Sequence, residues 1–333
     1  MRIQMNQYDI VFDSINHFNS HITSVYGHRK LFIVTDNNVF DLYEKKIRQA
    51  LHDFELSFTV ITPGERSKTY ETYLSVISDL IDKGLKRDHM IVALGGGVVG
   101  DLAGFVAASI YRGVPFIQMP TTLLAMVDSS IGGKTGIDLP SGKNLVGAFY
   151  HPQMVLVDVS FLDTLSQEEY RHGMAEVIKA GLIGDRSLYD QVKKPVKLHI
   201  NQLRAAIEVK KLVVDQDPFD KKERMFLNFG HTFGHAIEKH FAYDTYKHGE
   251  AISYGMLMAL DIGSFLGITP ISLYEDVKRV LMDWELVKEP LLKKEDFMND
   301  IITDKKFTAD GFHFILLKDI GQPIIKKLKP GDF

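Results

Sequence analysis

Four polar side chains recur at spacings of four, three and four in RMFLNFGHTFGHAIEKH (224–240): Arg224, Asn228, His231 and His235. On one helix those spacings place all four on a single stripe. The positions between them, Phe226, Leu227, Phe229, Phe233, Ala236 and Ile237, have the composition of a core. Burying so many donors without partners is costly, so the stripe calls for something to bind. Gly230 and Gly234 each stand just before one of the histidines, where Ala would favour a helix by about 1 kcal/mol each. Glycines there let a neighbouring backbone or a ligand come close. Downstream, YKHGEA adds His248 beside Glu250, and upstream HGMAEVIK adds Glu176 with Lys179 one turn on. Histidines four apart can share a metal, but the zincin pattern needs Glu directly after the first, and Thr232 follows instead. A three-ligand set of nitrogen and oxygen donors with open positions is what a catalytic Zn2+ requires.

A second chemical signal lies earlier. GGGVVGD (95–101) matches G-x-G-x-x-G through Gly95, Gly97 and Gly100. It follows an apolar run and opens a helical pattern, where bare backbone lets a pyrophosphate approach and a helix N-terminus favours its charge. The acidic residue expected about 20 positions later is absent, because YRGVPFIQMPTT is neutral or basic. Asp36, ending the first strong strand, is available to hold a ribose instead. DSSIGGKTGIDLPSGKN (128–144) carries Lys134 and Lys143 among glycines. A P-loop would need Gly where Asp128 and Ile137 stand, so an ATPase reading is poor. What remains is a loop presenting Lys134, Lys143 and Asn144, suited to an anionic group. A tight strand-to-helix turn and a plain solvated loop remain open as alternatives to these two.

The elements that position these groups follow from apolar patterning. Candidate strands are KLFIVTD (30–36), LSFTVIT (56–62), MIVALG (90–95), PFIQMP (115–120) and MVLVD (154–158). Between them, TYETYLSVISDLIDKG puts Tyr70, Tyr73, Leu74, Ile77, Leu80 and Ile81 on one helical face and ends at Gly84. GDLAGFVAASIYRG predicts a further helix closing at Gly113. Strand, helix, strand in repetition predicts an α/β fold with a largely parallel sheet. After residue 160 the patterns turn helical: SQEEYRHGMAEVIKAGLIG with a Ser166–Glu169 capping box, QLRAAIEVKKLVV, the 224–240 stretch and EAISYGMLMALDIGSFLG. FHFILLKDIG suggests a short strand or hairpin. The division expected is an α/β domain over 1–160 and a mostly α-helical domain over 161–333.

Composition sets the bounds. A chain of 333 residues with 45% hydrophobic and 25% charged residues has an ordinary globular balance and length for two domains. The formal net charge of −4 argues against a globally basic nucleic-acid binder. No run approaches the roughly 20 apolar residues of a membrane span. MRIQMNQYDIVFDSINHF lacks the apolar centre of a signal peptide, which makes the cytoplasm the expected location. With no cysteine in the chain, any metal must be held by His, Asp or Glu.

GGGVVGDLAGFVAASIYRGVPFIQMPTTLLAMVDSSIGGKTGID, GKNLVGAF, GMAEVIK, LNFGHTFGHAIE and HGEA, in that order, resemble the 3-dehydroquinate synthases of the shikimate pathway, members of the sugar phosphate cyclases. The resemblance runs from about GERSKT (64–69) to TDKK (303–306). It implies a nucleotide-binding α/β domain, a helical domain that binds metal and substrate, bound NAD, and one divalent cation, Zn2+ or Co2+. It further implies conversion of 3-deoxy-D-arabino-heptulosonate 7-phosphate to 3-dehydroquinate and phosphate, through transient oxidation, elimination, re-reduction and an intramolecular aldol closure.

Carried over motif by motif, the resemblance makes Glu176, His231 and His248 the metal ligands, and leaves His235 to the substrate. Asp128, Lys134, Lys179 and His235 become the catalytic candidates. Asn144, Lys210, Arg224, Asn228 and Lys305 join Lys134, Lys179 and His235 in anchoring substrate, with Arg112 lent across a homodimer interface. NAD is expected against Asp36, Asn38, Glu65, Lys68, Gly96, Gly97 and Val98. Asp101, Thr121, Thr122, Lys134, Lys143, Phe161 and Thr164 complete that set. Two positions depart from the family pattern: Asp220 replaces a usual Glu near Pro218, and Asp138 replaces an Asn common in bacterial members. Three other functions compete: a cyclase making 2-deoxy-scyllo-inosose or a valiolone, an iron- or zinc-dependent alcohol or glycerol dehydrogenase, and an inactive nucleotide binder. Arg224, Asn228 and GGKTG favour a carboxylate-bearing substrate, the many anion-binding lysines argue against a dehydrogenase, and no metal ligand is lost.

Overall fold

The computed structural model describes residues 1–27, 30–219, 222–302 and 312–329. By chain contacts they form two compact units, Met1–Ser166 and Gln167–Phe333.

In the first unit, β1 (Arg2–Gln4), β2 (Asp9–Phe12) and α1 (Phe18–Thr23) precede the alternating region. There follow β3 (Lys30–Asp36), α2 (Asn37–Ala50), β4 (Glu55–Ile61), α3 (Tyr70–Asp82), β5 (Met90–Gly95), α4 (Gly97–Ser109) and β6 (Phe116–Pro120). A hairpin, β7 (Lys134–Leu139) and β8 (Gly142–Phe149), is inserted before β9 (Met154–Val157). The seven-stranded sheet has the order β1-β2-β9-β6-β5-β3-β4, parallel throughout except for β1 on β2. The expected strands stand within a residue of their sequence bounds, because each is a short apolar run bounded by turn residues.

Counted from β3, the parallel strands β3, β4, β5, β6 and β9 lie in the spatial order 2-1-3-4-5. The order reverses between β3 and β5, and ligands of such sheets bind beyond the strand C-termini at that reversal. Register puts Thr35 opposite Leu94 and Gly95 opposite Pro120, so Asp36, the Gly96–Gly97 turn and Thr121 share this end of the sheet. Phe32, Val34, Ile91, Ala93, Val99, Leu102, Val106 and Phe116 form the core between the sheet and α4.

Three local expectations are corrected. α4 ends at Ser109; Tyr111 and Arg112 then adopt φ of 52° and 63° in a 3-10 turn, so the helix stops before Gly113. α3 buries Val76 and Leu80, whereas Tyr70, Leu74 and Ile81 are exposed. The helix carries a second apolar stripe that the sequence pattern merges with the first. Residues 128–144 are no plain loop: Asp128 sits in a π-helical turn, Ala125–Ser129, and Lys134 opens β7 of the hairpin.

The second unit contains α5 (Gln167–Gly184), α6 (Arg186–Val192), α7 (Ile200–Gln216), α8 (His231–His240), α9 (His248–Phe265), α10 (Ile271–Asp283) and α11 (Met298–Ile302). It closes with the antiparallel hairpin β10 (Phe312–Leu317) and β11 (Pro323–Leu328). α5 and α9 are buried over most of their circumference. α8 packs on α9 through glycines. A Cβ on Gly230 would stand 2.7 Å from the Ile252 carbonyl oxygen, one on Gly234 would stand 3.1 Å from Ile252 Cα, and one on Gly255 would collide with the Gly230 carbonyl oxygen. The neighbouring backbone fills the space these glycines leave, as close helix approach requires.

The stretch 224–240 is not one helix. Glu223–Asn228 forms a 3-10 turn, Phe229 leaves helical geometry and Gly230 takes φ 80°, before α8 begins at His231. Arg224 and Asn228 therefore belong to a different element from His231 and His235. Gly230 is the cause, since its left-handed backbone is open to glycine at little cost.

Candidate functional site

Glu176, His231 and His248 come together in the second unit from α5, α8 and α9. Glycine again sets the approach. A Cβ on Gly249 would stand 2.6 Å from the backbone oxygen of His172, so the first turn of α9 rests on α5 one turn before Glu176. His231 Nε2 lies 3.5 Å and His248 Nε2 3.6 Å from Glu176 Oε1, and these ligand atoms lie within 4.8 Å of one another. Glu176 is 3% exposed, and its buried Oε1 makes no hydrogen bond among the described residues. A buried carboxylate oxygen that faces two imidazole nitrogens without a hydrogen bond needs a positive partner, either a protonated imidazole or a bound cation. The donor set, one carboxylate and two imidazoles, suits Zn2+ or a similar divalent ion and leaves coordination positions open.

The other Glu176 oxygen, Oε2, pairs with Lys179 Nζ at 2.5 Å, and that ammonium also donates to the Leu227 carbonyl at 2.7 Å. Burial pushes the Glu176 carboxyl up, but Lys179 foremost and His248 after it hold it down to about 2. Burial pulls the His248 imidazole down; Glu176 and Glu238 outweigh it and raise it to about 10. His231 directs Nδ1 at the Phe229 carbonyl, 3.3 Å away. His235 stands edge-on to His231, with ring centroids 5.4 Å apart, but lies outside the ligand group and is exposed.

In the same unit, Lys210 of α7 and Arg224 of the 3-10 turn are buried cations, 8% and 2% exposed. Arg224 donates through Nη1 to the Pro218 carbonyl at 2.7 Å, and its backbone N–H reaches Asp217 Oδ2 at 3.3 Å. Asn228 ends the same turn. Lys305 and Asp220 lie outside the described residues. Glu238 is a residue that the sequence reading passed over, although it stands seven positions after His231 on α8 and is 3% exposed. That spacing was the available signal.

In the first unit Gly96 caps α4 and Gly97 begins it, with bare backbone N–H groups at the strand-order reversal. Val98 and Asp101 follow in the first turns. A Cβ on Gly96 would stand 3.1 Å from Thr122 Cγ2, and one on Gly97 3.0 Å from Ser129 Oγ. Asp36 caps α2 by accepting the Val39 N–H at 3.0 Å, and burial raises its carboxyl. Asn38 is exposed in the first turn of α2. Thr121 donates its N–H to Gly95 at 3.0 Å. Thr164 Oγ1 bonds the Tyr43 hydroxyl, and Phe161 is buried edge-on against the Tyr43 ring.

A charged cluster joins this turn to the hairpin. Buried Lys68 donates to Asp101 Oδ2 at 2.6 Å and to Asn144 Oδ1 at 2.5 Å. Burial works against the Lys68 charge, yet Asp101 and then Glu65 hold its ammonium above the usual range. Lys143 Nζ lies 3.9 Å from Glu65. Asp138 accepts the Asn144 backbone N–H at 2.7 Å and donates its own to the Lys68 carbonyl at 2.7 Å. That accounts for its place in the hairpin. Lys134 and Arg112 are exposed.

Two family models, described as 3-dehydroquinate synthase N-terminal and 3-dehydroquinate synthase C-terminal, match residues 58–172 and 173–307. The chain belongs to the 3-dehydroquinate synthase family. A 3-dehydroquinate synthase from Clostridium botulinum (strain Alaska E43 / Type E3) is 40% identical over 321 residues, 94% of this chain and 92% of that one. Among solved structures, a 2-deoxy-scyllo-inosose synthase complexed with carbaglucose-6-phosphate, NAD+ and Co2+ superposes with TM-score 0.87 at 26% identity, covering 100% of this chain and 98% of that one. 2-epi-5-epi-valiolone synthase from Streptomyces hygroscopicus subsp. jinggangensis 5008, with NAD+ and Zn2+ bound, gives TM-score 0.88 at 25% identity, covering 99% and 95%. The 3-dehydroquinate synthase relative is thus closer in sequence than these two cyclases of other product. No helix among the described residues is long and apolar enough to cross a membrane.

Proposed function

We propose that this protein converts 3-deoxy-D-arabino-heptulosonate 7-phosphate to 3-dehydroquinate and phosphate, as a step of aromatic amino acid biosynthesis, using NAD and one divalent cation, Zn2+ or Co2+. The observation that carries this reading is the Glu176–His231–His248 group, with its buried carboxylate oxygen turned to two imidazole nitrogens, in a chain of this family. When bound, the nicotinamide accepts and returns hydride, and the cation acts as a Lewis acid.

The chain's own residues supply the rest. Glu176, ionised over the working pH range, and the Nε2 atoms of His231 and His248 hold the cation. Lys179 neutralises the second Glu176 oxygen and keeps the carboxylate oriented. Lys134, Asn144, Lys210, Arg224, Asn228 and Lys305 are assigned to the substrate's carboxylate, phosphate and hydroxyls, where fixed ammonium and guanidinium groups bind anions strongly. Exposed His235 and half-buried Asp128 are assigned to hold or move a proton at a substrate hydroxyl. The NAD pyrophosphate is assigned to the Gly96–Gly97 turn and the ribose to Asp36, with Asn38, Glu65, Lys68, Val98, Asp101, Thr121, Thr122, Lys143, Phe161 and Thr164 around it. The strand-order reversal beside that turn supports the assignment. The domains carrying these roles are taken as 1–160 for NAD and 161–333 for metal and substrate, in the cytoplasm.

The partner proposed is a second copy of the chain. Tyr70, Leu74 and Ile81, 53%, 42% and 47% exposed, line the outer face of α3, and an apolar stripe of this kind is suited to burial against another subunit. Exposed Arg112 is the residue assigned to the partner's site.

Phosphate release tests the reaction. The expected result is release from the heptulosonate phosphate with formation of 3-dehydroquinate, abolished by a chelator and restored by Zn2+ or Co2+. Turnover of glucose 6-phosphate or of a carboxylate-free seven-carbon sugar phosphate in its place would overturn the substrate assignment.

A further inference from the structure

The two imidazoles of the metal group are turned alike. Each presents Nε2 to Glu176 Oε1, at 3.5 Å from His231 and 3.6 Å from His248, so each must satisfy Nδ1 on the far side of its ring. For His231 the partner is the Phe229 carbonyl at 3.3 Å. A carbonyl oxygen only accepts, so Nδ1 carries the hydrogen and Nε2 keeps the lone pair that a cation needs. For His248 the group at Nδ1 is the Glu238 carboxylate, with Oε1 at 3.6 Å. Glu238 is 3% exposed, and a carboxylate is buried at a cost that an ion pair or hydrogen bond must offset. It follows His231 by seven positions, about two helical turns. The helix that supplies one ligand therefore also supplies the carboxylate behind the other.

We infer that Glu238 is a positioning residue of the metal centre. It accepts the Nδ1 hydrogen of His248 and so fixes the tautomer and ring orientation that present Nε2 to the cation. This rests on the metal-centre reading above. In this role Glu238 acts through His248 rather than by contact with substrate or cation. At 3.6 Å the contact is an ion pair, and the role requires it to shorten to a hydrogen bond, below about 3.2 Å, when the cation is held. Carboxylates behind ligating histidines account for about 10–100-fold in metal affinity.

The test uses the full chain, stripped of metal and titrated with Zn2+ against a competing chelator, while NMR follows the His248 ring nitrogens. Zinc-loaded wild type is expected to carry hydrogen on Nδ1 and metal on Nε2. Glu238→Leu should raise the Zn2+ Kd by about tenfold or more and lose the slow-exchanging Nδ1–H signal. Glu238→Gln, a neutral acceptor of the same length, should restore that signal and most of the affinity. Wild-type Kd and tautomer in both variants, even with a lowered Tm, would reduce Glu238 to a fold-stabilising residue and overturn the inference. Should Glu238→Leu fail to fold, the wild-type spectrum still decides: metal on Nδ1 refutes the role. A wild-type chain that takes up no Zn2+ refutes the metal centre itself, whereas wild-type uptake matched by both variants refutes Glu238 alone.

Discussion

At the scale of single residues, the metal group and its protons are one system. In the metal-free protein His248 is held up to about 10 by the carboxylates on either side, so at neutral pH it is an imidazolium. Uptake of a cation through Nε2 must expel that proton, and ligand deprotonation is what makes metal affinity depend on pH. Zn2+ binding is therefore expected to tighten about tenfold per pH unit as pH rises from 6.5 toward 10, with about one proton released per ion near pH 7. Glu176, held at about 2, contributes no proton in that window. Potentiometric titration of the metal-free chain with Zn2+ measures this; uptake without proton release would mean that His248 is not a ligand. The sign for stability follows: His248 contributes to the metal-free fold fully below pH 6.5, and that contribution is lost as pH rises through about 10. His231→Ala removes one ligand without touching the Gly96–Gly97 turn. It should abolish stoichiometric Zn2+ binding and lower kcat/KM by roughly a thousandfold or more, a loss of about 4 kcal/mol or more, while NAD affinity measured by calorimetry stays near wild type. Full activity in the metal-free variant would refute the ligand assignment.

At the scale of elements, glycine decides the geometry. Gly230, Gly234 and Gly255 let α8 and α9 approach, and Gly249 seats α9 on α5. Gly255→Ala forces a methyl group into the Gly230 carbonyl and should cost at least about 2 kcal/mol in urea unfolding, in the range of overpacked cores. Because α8 and α9 carry His231 and His248, the same variant should weaken Zn2+ binding; unchanged stability and affinity would mean that the helices are free to separate. The same glycines explain what the sequence concealed. His231 and His235 were legible as one helical face, but the break at Phe229–Gly230 was not, because a left-handed glycine and a helical glycine look alike in sequence. The hairpin at 134–149 escaped notice for another reason. β8 is exposed at Leu145, Val146 and Phe149, and glycines interrupt both strands, so no inside–outside alternation marks it. β3 and β5 were legible because short, β-branched apolar runs bounded by polar or glycine residues fit buried strands of a parallel sheet. Glu238 was hidden in plain view, since a glutamate near a helix end is ordinarily solvated.

At the scale of the whole molecule, the parallel sheet and the helical unit each bring one set of groups to one place: the glycine turn with Asp36, and the carboxylate with two imidazoles. The outer stripe of α3 carries the assembly prediction. Sedimentation should give a dimer mass for the wild type, and Leu74→Glu with Ile81→Glu should shift it to monomer, with activity falling if Arg112 serves the partner's site. A wild-type monomer at micromolar concentration would contradict the proposed assembly. The central claim is a single divalent ion on Glu176, His231 and His248, and anomalous diffraction at the zinc edge, from crystals soaked in Zn2+ and NAD, addresses it most directly. The account predicts one strong peak about 2.0–2.2 Å from Glu176 Oε1 and from both Nε2 atoms; a peak elsewhere, or three side chains turned away from any common ion, would contradict it.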